Sequence, residues 1–387
     1  MRITKVETIR HPAFPRFTWL HVHTADGQVG LGEVGHFSTA AEAIIHDLAP
    51  RFLIGEDATR IDHLWTKIHD HLAIFTMGGS EMRALGAIDV ALWDLAGKRH
   101  GVPIYELLGG ASRDTIPVYN TCIGSDPIPD NRRFLEDAGS LAAELVDEGF
   151  GCMKIWPFDA FAAQSHGQLL SNSDLDAGLA PVRAIRDRVG DSIGIAIELH
   201  GFWNLPCALR IADALQPYRV QWIEEALSPE SLGAQVAFAK ACHAPVVSGE
   251  RLVTRFAFRG LLEAGGATIV NPDLTWTGGL GELKRIATMA EAFRIPVKPH
   301  NEGGPVHHVA AMHVAANVPS LYLLEMIRHN TRHLFPQIVD ELPPLVRVPG
   351  PDGRAEARLA LPSGPGLGIS LSRRILDDPL ATRTLTD

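Results

Sequence analysis

The chain has 387 residues, 46% of them apolar and 21% charged, the profile of a globular protein long enough for more than one domain. Its formal net charge is −10 with no basic run, which argues against nucleic acid and anionic membrane as partners but allows an anionic small molecule met by a metal ion. Cys122, Cys152, Cys207 and Cys242 lack C-x-x-C spacing, and neither an apolar signal core nor a run of about 18 apolar residues occurs, so buried thiols and a cytoplasmic location are expected.

Residues 1–35 read as a β-meander: RITKVETIR and FTWLHVHT alternate, and Asp26-Gly27 turns the chain into QVGLGEVG. Two helical stretches follow, AAEAIIHDLAPRFL and SEMRALGAIDVALWDLAGKRHG. In the second, Ala84, Ile88, Ala91 and Leu95 share a face and Gly101 is the stop. These elements make a mixed α+β domain over 1–113. Over 114–350 strands and helices alternate. Strands are expected at IPVYN, CMKIW, IGIAIE, VQWIE, PVVSG, TIVNPD, IPVKPH and LYLLE, with helices such as RRFLEDAGSLAAELVDEG and LGELKRIATMAEAFR between them. Eight parallel strands with interleaved helices suit a closed α/β barrel. An open doubly wound sheet is the alternative, but no G-x-G-x-x-G follows the first strand. Residues 351–387 lack the repeat, and their LPSGPGLGISL is expected to pack back on the first domain.

Three apolar runs end in glutamates spaced 26 residues apart: Glu198, Glu224 and Glu250. A strand, helix and return loop take about 30 residues, so the three read as carboxylates at the C-terminal ends of consecutive parallel strands. Converging carboxylates repel unless a cation sits between them, and oxygen-only ligands select a hard ion, Mg²⁺ first. Side chains two apart on a strand share a face. Lys154 pairs with Trp156, Glu198 with His200, Asn271 with Asp273, and Lys298 with His300, each at the C-terminal end of its strand, where barrel active sites lie.

Together with ALGAIDVALWDLAGKRHGVPIYELLGG (84–110), NPDLTWTGGL (271–280), KPHNEGGP (298–305) and PSGPGLG (362–368), these runs resemble the enolase superfamily in its mandelate racemase-like branch. The resemblance covers nearly the whole chain. It implies a modified TIM barrel, (β/α)₇β, under an N-terminal α+β capping domain. It implies Mg²⁺ on Glu198, Glu224 and Glu250, abstraction of the proton α to a substrate carboxylate, and an enediolate stabilised by the metal. By the same resemblance Asp273 and His300 form the base dyad and Glu325 is an acid that hydrogen-bonds the enediolate. Unaided, a histidine cannot remove so weakly acidic a proton; a divalent cation against the carboxylate makes the step feasible. A His base with Mg²⁺ is the handed-down enolase pattern, and Asp273 would fix the imidazole tautomer.

Departures narrow the reading. Where many relatives carry Lys-x-Lys, this chain has Lys154-Ile155-Trp156, so the base on the opposite face is absent. Lys154 remains placed to meet a substrate carboxylate. Trp156 either walls the pocket or belongs to the core. The first metal ligand is Glu198 rather than the commoner Asp. His200, two residues past it, matches the histidine that protonates the departing 3-hydroxyl in similar sugar-acid dehydratases. The loops 11–17 and 71–80 are expected to close the barrel mouth, with Arg16 as a candidate contact to the distal end of the substrate. His36, His307, His308, His329 and His333 carry no assigned role. The expected activity is Mg²⁺-dependent dehydration of an aldonic or aldaric acid to a 2-keto-3-deoxy acid, in a homo-oligomer. A cycloisomerase or epimerase using the same enediolate is the alternative, and a non-catalytic binding relative is the rival from another class.

Overall fold

A computed structural model describes residues 1–76, 78–350 and 353–387. Met77 of the 71–80 loop, and Pro351 and Asp352 at the start of the 351–387 segment, lie outside the described residues.

The meander forms β1 (Ile3–Arg10), β2 (Thr18–Thr24) and β3 (Val29–Val34), paired antiparallel in that order. Ile3, Val6, Leu20, Val22 and Val34 from its strands join a buried cluster with α1 (Ser38–Phe52) and α3 (Ser80–His100). Gly101 ends α3 in the left-handed conformation, φ 68. A further helix, α2 (Ile61–Ala73), goes beyond the two stretches expected; its Ile61, Leu64, Trp65, Ile68 and Leu72 are buried at helical spacing.

The second unit is a ring of parallel strands: β4 (Thr115–Thr121), β5 (Cys152–Ile155), β6 (Gly194–Glu198), β7 (Trp222–Glu224), β8 (Val246–Ser248), β9 (Ile269–Val270) and β10 (Leu324–Met326). β10 pairs with β4. Between β9 and β10 the circuit is carried by single bridges, Val270 to Val297, Asp273 to His300 and Val297 to Leu321. The strand expected at 268–273 shortens to β9 and that at 295–300 to these bridges, because Pro272, Pro296 and Pro299 have no N–H to donate to a ladder. The RRFLEDAGSLAAELVDEG stretch is likewise two helices, Asp130–Glu136 and Ala138–Glu148, broken at Asp137.

Inside the ring, Tyr119, Cys152, Ala196, Trp222, Val247 and Ile269 form an apolar layer. One step further along the same inward faces stand Thr121, Lys154, Glu198, Glu224 and Asn271, all buried. A closed barrel therefore floors a polar layer with an apolar one. After the ring, β11 (Leu345–Pro349) pairs with β12 (Ala355–Ala360), and β12 joins the barrel sheet antiparallel to β4. β13 (Thr382–Thr386) crosses to the first sheet and pairs with β1. The C-terminal segment thus ties into both units. Among the described residues no helix is long and apolar enough to cross a membrane.

Candidate active site and metal centre

Glu198 and Glu224 end β6 and β7 and are register partners in the ladder. Glu250 stands two residues beyond β8. Val247 and Gly249 hold the inward positions there, so alternation alone would turn Glu250 outward. Gly249 redirects the chain with φ 132, and a Cβ at that position would meet the Phe258 ring at 2.6 Å. Ligand oxygens of Glu198, Glu224 and Glu250 then lie within 4.8 Å of one another, all three residues buried.

Two lysines thread this cluster. Lys154 Nζ lies 3.1 Å from Glu198, 2.8 Å from Glu224 and 3.0 Å from Glu325. Lys298 Nζ meets Glu224 at 3.0 Å and the Tyr119 hydroxyl at 2.6 Å. Asn271 Nδ2 and Trp222 Nε1 also donate to Glu224, at 3.2 and 2.7 Å. The consequences diverge. Burial pushes Glu198 up to about 7, with repulsion from Glu224 adding to it. Glu224 resists burial and falls to about 2 because Lys154 and Lys298 hold its charge. Counting formal charges, Glu198, Glu224, Glu250 and Glu325 against Lys154 and Lys298 leave a buried excess of two negative charges. That excess, presented by oxygen donors alone, fits a divalent hard cation held by Glu198, Glu224 and Glu250. A second group, Glu7, His21 and His23, gathers on the first sheet. There Arg383 pairs with Glu7 at 2.7 Å and both imidazoles lean on its other oxygen, so the charge is already met.

Two His–Asp couples flank the carboxylates. His300 Nδ1 lies 2.8 Å from Asp273 Oδ2, and its Nε2 stands 3.8 Å from Glu250. Asp273 Oδ1 accepts from the Thr275 and Trp276 amides at 3.0 and 2.9 Å. Burial opposes ionisation of Asp273, but the neighbouring imidazoles and these amides hold it below the usual range. His300 rises to about 10 against burial, driven by Glu250, the bond to Asp273, and Glu325. Ionised Asp273 holds the Nδ1 proton in place, so Nε2, beside Glu250, is the nitrogen that gives up its proton when positive charge offsets these carboxylates.

His200 makes the matching couple. Its Nδ1 is 2.7 Å from Asp159 Oδ2, and its backbone N–H donates to Glu198 Oε1 at 3.0 Å. β6 has ended at Glu198, and His200 is left-handed, φ 49. A turn and Asp159, not strand alternation, therefore orient the ring. His200 rises to about 9 against burial, through Glu198 and Asp159. β6 is the third strand of the ring and His300 lies on the seventh, so the couples face each other across the centre. Positive charge brought to the carboxylates lowers the proton affinity of both rings.

The remaining expected residues divide. Glu325 accepts from Thr121 Oγ1 and from the Asn301 amide at 2.9 Å. Burial works against its charge, yet Lys154 and Lys298 hold it well below the usual carboxylate range. Its Oε1 lies 3.0 Å from Lys154 Nζ, which it shares with Glu198 and Glu224. Trp156 is partly buried, edge-on to Phe134 at 4.7 Å and 6.1 Å from the His200 ring. Arg16 pairs with Glu302 at 2.7 Å, as does His36, joining the 11–17 loop to the loop that carries His300.

Residues 137–375 match the family model described as enolase C-terminal domain-like, and residues 7–109 match the N-terminal domain of mandelate racemase and muconate lactonizing enzyme. The chain belongs to the enolase superfamily, in its mandelate racemase-like branch. It is similar to D-galactonate dehydratase of Ralstonia pickettii, at 35% identity over 319 residues, 81% of this chain and 78% of that one. The same-named protein of Pectobacterium atrosepticum is 34% identical over 316 residues, with the same shares. A solved structure of an enolase of the mandelate racemase subgroup from Agrobacterium tumefaciens, containing a succinimide residue, sodium and phosphate, aligns with TM-score 0.90 at 38% identity. That alignment covers 100% of this chain and 99% of the other.

Against this superfamily background, several site residues went unflagged in the sequence. Asp159 follows β5 and the Pro157-Phe158 turn, as the first residue of the helix Asp159–Ser165; a carboxylate just past a barrel strand was the available signal. Asn301 and His307 back the dyad loop: Asn301 Nδ2 lies 2.7 Å from His308 Nδ1, and His307 Nε2 lies 3.9 Å from Asp273. No sequence pattern separates these histidines from ordinary core ones.

Proposed function

We propose that this enzyme, a hydro-lyase, dehydrates an aldonic or aldaric acid to its 2-keto-3-deoxy acid with Mg²⁺ bound by Glu198, Glu224 and Glu250. The observation that carries the reading is the pair of facing couples, His300–Asp273 beside Glu250 and His200–Asp159 beside Glu198. Relatives named D-galactonate dehydratase support the substrate class. Mg²⁺ supplies positive charge where the substrate carboxylate gains negative charge. His300 Nε2 takes the C2 proton, with Asp273 holding the ring. Lys154, locked between Glu224 and Glu325, borders the place of the substrate carboxylate. His200 Nε2 gives its proton to the 3-hydroxyl as the C3–O bond breaks and water leaves. The enol then takes a proton at C3 and becomes the keto acid. Trp156 walls the His200 side, and Arg16, through Glu302, closes the mouth. A screen of aldonic and aldaric acids for 2-keto acid formation with Mg²⁺ tests the reading; no turnover across both classes rejects it.

His200→Asn separates the two halves. Elimination is expected to fall by about 10²–10⁴-fold, the usual contribution of a general acid, while deuterium from D₂O still enters C2. Asp159→Asn should give a weaker version of the same split, because the acid stays but loses its orienting partner. Full dehydratase activity in His200→Asn removes this role. The facing couple also admits a second reading, epimerisation, in which His200 returns a proton to the opposite face. Deuterium at C2 in both epimers without keto acid would select it.

A further inference from the structure

Two barrel helices begin on glycine, and in both the first domain supplies what glycine lacks. The helix Pro305–Asn317 has Gly304 at its N-cap and the helix Leu280–Ala292 has Gly279, neither with a side-chain cap of its own. The opening amides of such helices need an acceptor, normally the N-cap side chain. Glu33 of β3 fills the first vacancy. Its Oε1 accepts from the His307 amide at 3.1 Å and its Oε2 from the Val306 amide at 3.4 Å. Those are the second and third helical positions; the first is Pro305, which has no N–H. Trp19 Nε1 donates to Oε2 at 3.0 Å. Asp89 of α3 fills the second vacancy, accepting from the Gly281 amide at 2.9 Å. The two glycines make room for this. A Cβ on Gly304 would sit 2.4 Å from Glu33 Oε2, and one on Gly279 would sit 2.4 Å from Asp89 Oδ2.

The placement matters because of what precedes each helix. Gly279 closes the loop from Asp273, and Gly304 closes the loop from His300. The Asp273 loop has two more ties to the same domain: Trp65 Nε1 donates to the Gly278 carbonyl at 2.7 Å, and Gly86 lies so close to Thr275 that a Cβ there would meet its carbonyl oxygen at 2.5 Å. Both anchoring carboxylates are fully buried, and burial pushes each up to about 7, so they occupy costly positions.

We infer that Glu33 and Asp89 are positioning residues: each serves as the N-cap, across the domain boundary, of the helix behind one member of the His300–Asp273 couple, and so sets that couple's register. The first domain then does more than cover the barrel mouth. The kinetic part rests on the proposed reaction; the structural part does not. A displacement of about 1 Å at a reacting group can cost about 10²-fold in rate, and that is the upper range expected for kcat.

The test transfers the cap from one domain to the other. Glu33→Ala, with Glu33→Gln as the milder variant, is assayed well below its melting temperature. Amide hydrogen exchange is followed on peptides covering 298–309 and 271–283. Exchange should quicken at 298–309 and not at 271–283, with kcat down about 10–100-fold, KM little changed and metal affinity unchanged. Asp89→Asn should show the reverse pattern of peptides. Gly304 has φ −85 and ψ −168, ordinary for an N-cap serine, and in Glu33→Ala the obstructing oxygen is gone. The double variant Glu33→Ala/Gly304→Ser should therefore slow the exchange again and recover kcat, whereas Glu33→Ala/Gly304→Ala should not. A lowered melting temperature with wild-type kcat, or equal rescue by serine and alanine, overturns the inference. If the wild type turns over no sugar acid, the reaction reading fails, and the exchange pattern alone decides the capping.

Discussion

His300→Asn is expected to stop both dehydration and exchange of the substrate C2 hydrogen with D₂O, by about 10²–10⁴-fold or more. Asparagine keeps a polar group near Asp273 but offers no basic nitrogen where His300 Nε2 stands. Asp273→Asn should impair the same step less completely. The histidine survives there, but its Nδ1 proton loses the carboxylate 2.8 Å away that fixes the tautomer. Neither Lys154 nor His200 is placed to take over. Lys154 is fully buried and lies among Glu198, Glu224 and Glu325; although burial opposes its charge, these carboxylates hold it protonated far above the usual lysine range. His200 faces the opposite side of the cluster with its own partner, Asp159. Isotope exchange measured by NMR on a substrate identified in the sugar-acid screen decides the matter. Wild-type exchange in His300→Asn would remove the base assignment.

What the sequence revealed depended on whether a residue lies on a strand. Alternation singled out Lys154, Glu198 and Asn271, the 26-residue spacing singled out Glu224, and the structure brings all four into contact around Glu224 or Lys154. That argument needs only an uninterrupted pleat. It fails where the pleat stops. His200 reaches its position through a left-handed turn, and Glu250 through the left-handed Gly249. His200 was read by alternation and Glu250 by spacing, yet turns rather than the pleat set where each stands. Asp159 opens the short helix Asp159–Ser165, beyond the reach of any strand period. The interdomain contacts were invisible for a different cause: Glu33 and Asp89 sit inside elements that read as ordinary strand and helix, and only the three-dimensional approach of Gly304 and Gly279 shows what they accept. The ring itself was legible from its repeat, but Pro272, Pro296 and Pro299 left its seventh strand joined to both neighbours by single bridges where ladders were expected.

Removing a carboxylate from the cluster should abolish turnover, and the structure distinguishes two ways of doing so. Glu224→Gln strips the charge that Lys154, Lys298, Asn271 and Trp222 all address. The loss is structural as well as catalytic. An amide oxygen can still accept from Lys154, Lys298 and Asn271, but its NH₂ turns a donor toward Trp222 Nε1, and the negative charge that met both lysines is gone. Breaking a buried ion pair typically costs about 3–5 kcal/mol, so this variant should melt well below the wild type while losing activity. Glu250→Gln is the cleaner test of metal binding. Its nearest charged neighbours are Arg251 at 3.6 Å and His300 at 3.8 Å, beyond hydrogen-bonding distance. That variant should keep most of its thermal stability and still lose Mg²⁺ affinity and turnover. Isothermal titration with Mg²⁺ and thermal melts on both variants separate the two effects. EDTA should likewise inactivate the wild type, and Mg²⁺ should restore it. Near-normal turnover of Glu250→Gln at low Mg²⁺, or a wild type indifferent to EDTA, would show that the three-carboxylate cluster does not hold a catalytic cation.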